Sequence, residues 1–407
     1  MNVGIVTTWF ERGAAYVSKQ FEDVLSKENN VYIYARAGEK YAKGDPKWDR
    51  GNVYWSKRYK GLITTYIYKN EFIKWIKKCS IDIILFNEQH YFEPVIWAKE
   101  LGVKTVAYID YYTEVSIPIF SVYDTVICNT KRHFSAFKDH HNPIYLPWGT
   151  DVDLYKPRKD ATPLVEDGKI TFFTSSGMDP RRKGTDKFIR ALNKCKNLDK
   201  IKAIVHTQVN LKSCFPSLSD EIDRLIDLKI LEIVEETVHA PGLYYRGDVY
   251  VYPSILDGLG LTVAEAVSSG LACIVSDNPP MNEFLHSSFG NVIPIDRFYS
   301  RADGYYWPLC ECNEQALATL IDDYASAPDK VIEMKVNARN YAVRNYSFIE
   351  NAKSLNEIFR NTRFIAIDNK IKQLVHNYDY RGLNKIGHLI NKFKLNWLIN
   401  TIKRLAD

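Results

Sequence analysis

The stretch 248–276, DVYVYPSILDGLGLTVAEAVSSGLACIVS, decides the fold of this 407-residue chain. It contains an apolar run at 249–252, a loop with two glycines, a helical run at 263–268 and a second apolar run at 272–276. Short runs rich in Val, Ile and Tyr that alternate with single helices are typical of parallel strands joined by crossover helices. The stretch therefore predicts a strand, a helix and a second strand of one parallel sheet.

The same alternation continues on both sides and forms two series. The first predicts strands at 3–7, 31–34, 81–86, 105–109, 125–128 and 144–146, with helices at 15–25 and 68–78. The second predicts strands at 170–174, 203–205, 231–234, 249–252, 272–276 and 292–295, with helices at 185–192, 221–228, 263–268 and 314–324. A stretch with several prolines at 147–163 separates them and is typical of a linker. We therefore predict an α/β protein of two Rossmann-like, doubly wound domains that face a cleft.

Composition and cysteine usage exclude several classes of protein. Hydrophobic residues make up 46% and charged residues 25% of the chain, the balance of a folded protein rather than a disordered one. A net charge of +5 is too small to indicate a nucleic-acid partner, and we expect none. The seven cysteines show no paired metal-ligand spacing, so we expect a reduced, cytoplasmic chain without a metal site. We expect neither a signal peptide nor a membrane-spanning segment.

The C-terminal tail, residues 363–407, differs from the rest of the chain in charge. It carries nine Lys or Arg residues and three acids, a net charge of +6, which leaves the other residues at −1. Apolar residues recur in it at helical spacing, among them Leu389, Phe393 and Trp397. A basic amphipathic helix of this kind can lie on an anionic membrane, or it can dock on the protein body with its basic face in water. Peripheral membrane contact through 363–407 is therefore one of two alternatives.

Two loops after predicted strands carry residues suited to an anionic ligand, and open α/β sheets bind ligands beyond the carboxyl ends of their strands. Gly13 follows the strand at 3–7 and starts a helix, where the backbone can approach a ligand; a tight turn that needs glycine is the alternative. Arg181, Arg182 and Lys183 lie between two glycines after the strand at 170–174. These cations would oppose the charge of a diphosphate, and a solvated turn is the alternative. Neither loop has P-loop spacing or a complete dinucleotide-binding motif.

A third loop, 257–262, follows the strand at 249–252. Its glycines and the start of the next helix offer backbone N–H groups to phosphate or sugar hydroxyls, and Thr262 is expected to cap that helix. Asp257 lies on the loop and Glu265 lies eight positions later on the helix. Separate tasks suit them better than one acid/base pair, with one carboxylate on a sugar and the other on ribose hydroxyls. The alternative is a capped helix with an incidental acid before it.

Several segments, in the same order as in one known family, accompany these loops. The stretch 248–276 resembles the E-x7-E region of glycosyltransferase family 4, retaining enzymes with the GT-B fold. Residues 176–186 are similar to the G-R-x(4)-K-G segment of that family, and residues 147–155 to its interdomain P-x-G-x-D segment. Residues 346–348 resemble the point where the last helix of the family crosses back to the N-terminal domain.

This resemblance implies a domain organisation. An N-terminal, acceptor-binding domain would span 1–155, and a C-terminal, nucleotide-sugar domain would span 156–345. A helix at 346–362 would return to the N-terminal domain, ahead of the basic tail at 363–407.

The implied activity is transfer of a sugar, with retention of configuration, from a UDP- or GDP-sugar to a hydroxyl of a glycan or lipid-linked acceptor. The nucleotide-sugar would be a co-substrate, with no permanently bound cofactor and no metal. Residues 87–91 and 110–114 follow strands of the first series and could bind the acceptor. The alternatives are a nucleotide-sugar epimerase of the same fold and a noncatalytic sugar or nucleotide binder.

The resemblance also implies roles for individual residues. Lys183 would contact the donor diphosphate, Glu265 would hold the donor ribose and Asp257 would address the transferred sugar. Glu236 and His206, each after a strand of the second series, are candidates for the nucleoside side of the donor or else plain loop residues. The candidate donor-binding residues are Gly13, Arg182, Lys183, Glu236, Gly258, Gly260, Leu261, Thr262 and Glu265, and the candidate catalytic residues are Asp257, Lys183 and Asp110.

Three positions depart from the pattern of the family. Asp257 stands where the family usually has Glu, which keeps the charge on a shorter arm. Met178 stands where the family usually has Arg, so Arg182 or Arg181 would have to supply the second phosphate cation. Asp110 ends the strand at 105–109, where many relatives have a His near the reacting sugar.

Overall fold

The computed structural model describes residues 1–11, 13–36, 42–59, 63, 65–158 and 168–381. Contacts divide the chain into two compact units. The first comprises Met1–Cys128, Ala136–Ile144 and the described residues from Ser354 onward, and the second comprises Asn129–Ser135 and Tyr145–Lys353. The domain boundaries at 155 and 345 stay a prediction.

The first sheet has seven strands among the described residues, in the order β3-β2-β1-β4-β5-β6-β7, and β1 to β6 pair in parallel. Its strands are β1 (Asn2–Thr8), β2 (Asn30–Arg36), β3 (Val53–Trp55), β4 (Ile83–Asn87), β5 (Lys104–Tyr108), β6 (Thr125–Cys128) and β7 (Pro143–Tyr145). The helices along this part of the chain are α1 (Gly13–Leu25), α2 (Lys69–Lys78), α3 (Glu93–Glu100) and α4 (Lys131–Ala136).

The second sheet has six strands among the described residues, in the order β10-β9-β8-β11-β12-β13, and each strand pairs in parallel with its neighbours. Its strands are β8 (Ile170–Gly177), β9 (Ile201–Thr207), β10 (Leu231–Glu235), β11 (Val249–Tyr252), β12 (Ala272–Ser276) and β13 (Gly290–Ile293), and β14 (Ile295–Tyr299) and β15 (Leu309–Cys312) form a separate hairpin. The helices of this unit are α5 (Thr185–Lys194), α6 (Leu211–Cys214), α7 (Ser219–Asp227), α8 (Leu261–Ser268), α9 (Glu314–Ala325), α10 (Pro328–Asn345) and α11 (Phe348–Asn351).

These two parallel sheets confirm the predicted fold class, two Rossmann-like α/β domains. The four residues of β11 are buried on both faces of the strand, as in β12. A strand buried on both faces needs helices on both sides of the sheet, and this is why its sequence is a continuous apolar run.

Strand order marks one position in the second sheet. Read across the sheet, strand numbers fall from β10 to β8 and then rise from β11 to β13, so the order reverses between β8 and β11. In open α/β sheets, a crevice at such a reversal lies outside the carboxyl ends of the strands and is where ligands bind. The basic run 181–183 lies in the loop after β8, and the loop 257–262, which begins at Asp257, follows β11.

The chain after α11 packs on the first unit. Within 346–362 the structure has two helices, α11 and α12 (Leu355–Asn361). On α12, the Asn356 side chain accepts from Asn29 at 2.7 Å and donates to the Val24 carbonyl at 3.2 Å. Further on, the backbone N–H of Ile365 donates to the carboxylate of Asp124 at 2.7 Å.

The described part of the tail ends in α13 (Asn369–Asp379). Asp379 accepts from the backbone N–H groups of Phe92 and Glu93, each at 2.8 Å, and the Tyr380 hydroxyl lies 3.0 Å from that of Tyr91. This first half of the tail is therefore docked on the first unit. The amphipathic residues behind the membrane alternative, including Leu389, Phe393 and Trp397, lie outside the described residues. No helix within 1–381, apart from its undescribed gaps, is long and apolar enough to cross a membrane.

Residues 363–381 are docked on the first unit, so their removal would disturb the fold. A truncation that tests membrane binding should therefore end at Arg381. Residues 382–407 carry five Lys or Arg residues and one acid. Each cation near an anionic surface is worth about 1 kcal/mol of binding. The membrane alternative predicts that full-length protein cosediments with phosphatidylserine-containing vesicles and that a chain ending at Arg381 stays in the supernatant, whereas the docking alternative predicts a lower melting temperature for the shortened chain. Equal cosedimentation of both chains, or no binding by the full-length chain, would show that 382–407 is not a membrane anchor.

Candidate functional site

The loops after β8 and β11 touch each other at a glycine. Gly184 precedes α5 with a φ of +67°, and a Cβ atom at this position would lie 1.9 Å from the carbonyl oxygen of Pro253. Beside it, the N–H of Ile255 donates to the carbonyl of Arg182 at 2.9 Å. The two loops can approach this closely because residue 184 has no side chain.

Gly184→Ala tests this approach. We expect the variant to lose about 3 kcal/mol in free energy of unfolding, because alanine adds both a left-handed backbone strain and a clash with Pro253. Gly13→Ala is the matched control: a Cβ there has nothing within 4 Å. Urea unfolding of both variants checks this, and a Gly184→Ala midpoint equal to that of the control would show that the two loops do not need this contact.

Lys183, Asp257 and Tyr252 form one buried cluster at the ends of β8 and β11. The Lys183 ammonium lies 2.8 Å from Oδ2 of Asp257 and also donates to the Tyr252 hydroxyl, which in turn donates to Oδ2 of Asp257. The whole of Lys183 is only 9% exposed. An ammonium has three N–H donors, so this cluster uses two and leaves one for an anion.

Burial and ion pairing act in opposite directions on the pKa of each partner, Lys183 and Asp257. Burial lowers the pKa of Lys183, and the nearby Asp257 carboxylate offsets only part of that drop. Burial alone would raise the pKa of Asp257, but Lys183 and then Arg182 outweigh it and hold that pKa well below its usual value. Asp257 is therefore ionised at neutral pH, and the ion pair is intact.

The second oxygen of Asp257 organises the loop that follows. Oδ1 accepts from the backbone N–H groups of Leu259 at 3.3 Å and Gly260 at 3.2 Å. Gly260, with a φ of +82°, is the N-cap residue of α8, and Leu261 is the first helical residue. The expectation that Thr262 caps this helix was wrong: Thr262 lies inside the first turn, because the left-handed residue that ends the loop comes two positions earlier.

The side chains of Arg181 and Arg182 point to different partners. Arg182 lies 3.8 Å from Oδ2 of Asp257 and donates to the Leu256 carbonyl at 2.9 Å. Arg181 donates to the carbonyl of Cys214, away from this cluster. Met178 is 73% exposed. Arg182 is therefore the second cation beside Asp257.

Glu265 lies on α8, in electrostatic range of both charges of the ion pair. The Tyr244 hydroxyl donates to its Oε2 at 2.6 Å, and Tyr155 gives a further side-chain hydrogen bond. Burial nevertheless raises the pKa of Glu265, with the two tyrosines lowering it only in part. The structure thus brings together Lys183, Arg182, Asp257, the 258–262 loop and Glu265, an arrangement of two cations, loop amides and two carboxylates.

Other candidates lie elsewhere in the structure. Glu236 is exposed after β10, at the edge of the sheet, and its carbonyl lies 3.0 Å from Nε2 of His206. Gly13 and Asp110 belong to the first unit, at the start of α1 and just after β5. A Cβ atom at Gly13 would have nothing within 4 Å, and Gly13 is not among the glycines with a positive φ, so the structure gives no steric reason for a glycine in this turn.

Residues of the 87–91 segment are anchored inside the first unit. Asn87 donates to the hydroxyl of Ser18 at 2.6 Å, and Gln89 accepts from the buried guanidinium of Arg36 at 2.5 Å. Burial and then the charge of Arg36 lower the pKa of His90 to about 4, so His90 is neutral at pH 7. Glu88 adopts a φ of +49° at the end of β4.

Sequence reasoning missed several residues that hold the site. Tyr252 and Tyr244 were visible only as strand and loop tyrosines among 27 in the chain. Arg132 donates to the carbonyl of Asp257 at 2.7 Å and Nε2 of His133 lies 2.7 Å from that of Gly258, yet both precede this loop by more than a hundred positions and no motif connects them to it. Their contacts are tertiary, so only the folded chain shows them.

Three comparisons with known proteins bear on this fold and site. Residues 158–341 match the family "Glycosyl transferases group 1". The chain is 28% identical over 125 residues to the UDP-Gal:alpha-D-GlcNAc-diphosphoundecaprenol alpha-1,3-galactosyltransferase of Escherichia coli. That stretch covers 29% of this chain and only 27% of the relative.

Solved structures with the same fold cover most of the chain. A glycosyltransferase from Rickettsia africae has a TM-score of 0.69 at 18% identity, and Anabaena HepE in complex with UDP has a TM-score of 0.69 at 14% identity. Each comparison covers 88% of this chain and 99% of the other. The fold, two Rossmann-like domains, is therefore the one found in GT-B glycosyltransferase structures. The family match covers the unit that contains the Lys183–Asp257 pair.

Proposed function

We propose that the chain is a retaining glycosyltransferase that moves a sugar from a UDP- or GDP-sugar to a hydroxyl of a glycan or lipid-linked acceptor. The observation that carries the proposal is the buried Lys183–Asp257 ion pair, 2.8 Å long, at the carboxyl ends of β8 and β11. Arg182, the loop amides and Glu265 surround it.

The chemistry follows from where charge develops. Departure of a nucleoside diphosphate places negative charge on the leaving phosphate and positive charge on the sugar ring, so fixed cations and amides at the phosphate lower the barrier. In our proposal Lys183 and Arg182 oppose the diphosphate, with the N–H groups of Leu261 and Thr262 at the start of α8 beside them. Because these groups supply the countercharge, the reaction needs no metal.

The carboxylates have separate tasks in this proposal. Asp257 addresses the transferred sugar, from a position held by Lys183 and Tyr252. Glu265 holds the ribose hydroxyls, and its two tyrosine partners fix its orientation. Residues 87–91 and 110–114 of the first unit, with Asp110, receive the acceptor.

The comparisons support a uridine nucleotide and a lipid-linked acceptor. HepE was solved with UDP, and the E. coli relative is named for a UDP-galactose donor and a diphosphoundecaprenol acceptor. A lipid-linked acceptor would also bring the enzyme to a membrane surface.

A donor panel tests the proposal. We expect UDP or GDP to raise the melting temperature, and the matching nucleotide-sugar, incubated without acceptor, to be hydrolysed slowly to nucleoside diphosphate and free sugar. Conversion of the sugar without release of nucleotide would indicate an epimerase. Binding with neither reaction would indicate a noncatalytic binder, and no binding of any nucleotide would refute the proposal.

A further inference from the structure

We infer that Arg132 and His133 are positioning residues that set the orientation of the Asp257–Gly260 loop and thereby of the donor-binding amides. This inference rests on the proposed function for its catalytic consequence. The two residues lie in the 129–135 segment, which belongs to the second unit although it follows β6 of the first sheet along the chain. Arg132 is 4% and His133 2% exposed.

Arg132 holds four groups around the loop. Its guanidinium donates to the carbonyls of Asp257 at 2.7 Å and Gly258 at 3.5 Å, to the carbonyl of Pro279 and to the hydroxyl of Tyr305 at 3.2 Å. A planar fork with several fixed N–H donors can serve such divergent acceptors at once, and an ammonium cannot.

His133 holds the second loop carbonyl. Its Nε2 lies 2.7 Å from the carbonyl oxygen of Gly258. Burial and then the neighbouring Arg132 charge lower the pKa of His133 to about 3, so the ring is neutral at pH 7. A carbonyl oxygen only accepts, so the ring is the tautomer that carries its proton on Nε2.

The segment itself is tied down by a carboxylate. Glu283 accepts from the backbone N–H groups of Lys131 at 2.6 Å and of Arg132 at 2.9 Å. The Arg132 guanidinium also lies over the ring of Trp307, 5.5 Å from its centroid. Backbone and side chain of Arg132 are therefore both constrained, so the residue can act as a rigid support.

Because Arg132 and His133 fix two carbonyl groups of the loop, they also fix the direction of the N–H groups of Gly258 and Leu259. A peptide bond is planar and trans, so its C=O and N–H point in opposite directions. The Asp257 carbonyl points to Arg132 and the Gly258 carbonyl to His133, so the N–H groups of Gly258 and Leu259 point away from both. The Leu259 N–H then meets Oδ1 of Asp257 at 3.3 Å. Arg132 and His133 thus help to hold the Leu259 N–H on the carboxylate of Asp257, and with it the course of the loop into α8.

Arg132→Lys, compared with Arg339→Lys, tests this role. Arg339 is a matched control, because it also donates to three backbone carbonyls, those of Val152, Tyr155 and Ser268, in the same unit but outside the loop. We expect amide hydrogen exchange in the 257–262 peptide to speed up about tenfold in Arg132→Lys, from loss of charged hydrogen bonds, and to stay unchanged in Arg339→Lys. Equal exchange in this peptide for both variants would overturn the inference.

His133 provides a second test with a conservative rescue. We expect His133→Leu to speed the same exchange and to lower kcat for donor hydrolysis, and His133→Gln, which keeps an N–H donor, to restore most of both. If amide exchange in the 257–262 peptide is as fast in His133→Gln as in His133→Leu, the N–H donor does not matter and His133 contributes only packing.

The exchange readout needs no donor, so it separates the two proposals. If the wild-type chain binds neither UDP nor GDP, the proposed function fails while the exchange comparison still decides the role of Arg132. If the wild type hydrolyses a nucleotide-sugar and Arg132→Lys retains its kcat and KM, the loop orientation is irrelevant to catalysis and the inference fails alone.

Discussion

Lys183→Ala is expected to lower turnover of the donor by about a hundredfold, the effect typical of removing one preorganised group that stabilises transition-state charge. The ammonium lies at the carboxyl ends of β8 and β11 and retains one N–H donor beyond its bonds to Asp257 and Tyr252. No other side chain of this cluster brings a cation as close to Asp257, since Arg182 lies 3.8 Å away against 2.8 Å for Lys183. Steady-state hydrolysis or transfer assays with the donor identified by the panel check the prediction.

Lys187→Ala is the matched control for this variant. Lys187 lies in the first turn of α5, where its ammonium is 3.2 Å from Glu311 and 3.1 Å from Glu314, and its side chain is 15% exposed against 11% for Lys183. Its loss removes a lysine of similar burial and pairing outside the site. Turnover should therefore survive in Lys187→Ala, and near-normal turnover in Lys183→Ala would refute the diphosphate assignment.

Asp257→Asn is expected to impair transfer by more than about tenfold while the nucleotide still binds. The substitution keeps the shape of the side chain but removes the charge that we assign to the transferred sugar. UDP or GDP would still meet Lys183, Arg182 and the loop amides. Binding and turnover measured on the same preparation check this, and unchanged turnover would remove Asp257 from the site.

The difference in free energy of unfolding between wild type and Asp257→Asn should depend on pH. The folded-state pKa of Asp257 is lowered, so its charge stabilises the fold above the unfolded pKa of about 3.9 and this contribution is lost as pH falls through the folded pKa. Removing one partner of a buried ion pair costs about 3 kcal/mol. We therefore expect wild type to exceed Asp257→Asn by that amount at pH 7, and the gap to shrink below pH about 4. A gap that is constant with pH would contradict the ionised pair.

The parts of the fold that the sequence predicted are those with continuous apolar runs. β11 and β12 are buried on both faces, so their sequences contain no alternation that could obscure them. The hairpin of β14 and β15 was missed because β14, IDRFY, is exposed over its central residues and carries no apolar run. β3 was missed because it is a half-buried strand of three residues at the sheet edge.

The candidate site, like the fold, was predictable where a local sequence pattern marks its residues. Lys183, Asp257 and Glu265 follow strands or start helices in local patterns, and the structure brings them together. Their partners could not be predicted, because Tyr244, Tyr252 and Arg132 reach the site through packing between distant segments. The roles of all these residues in transfer stay a prediction.

A structure of the chain with the nucleoside diphosphate that raises its melting temperature most is the most direct test. The account predicts a phosphate oxygen within about 3 Å of the Lys183 ammonium and the ribose hydroxyls on the Glu265 carboxylate. A nucleotide bound away from both side chains, with Lys183 still paired only to Asp257 and Tyr252, would contradict it.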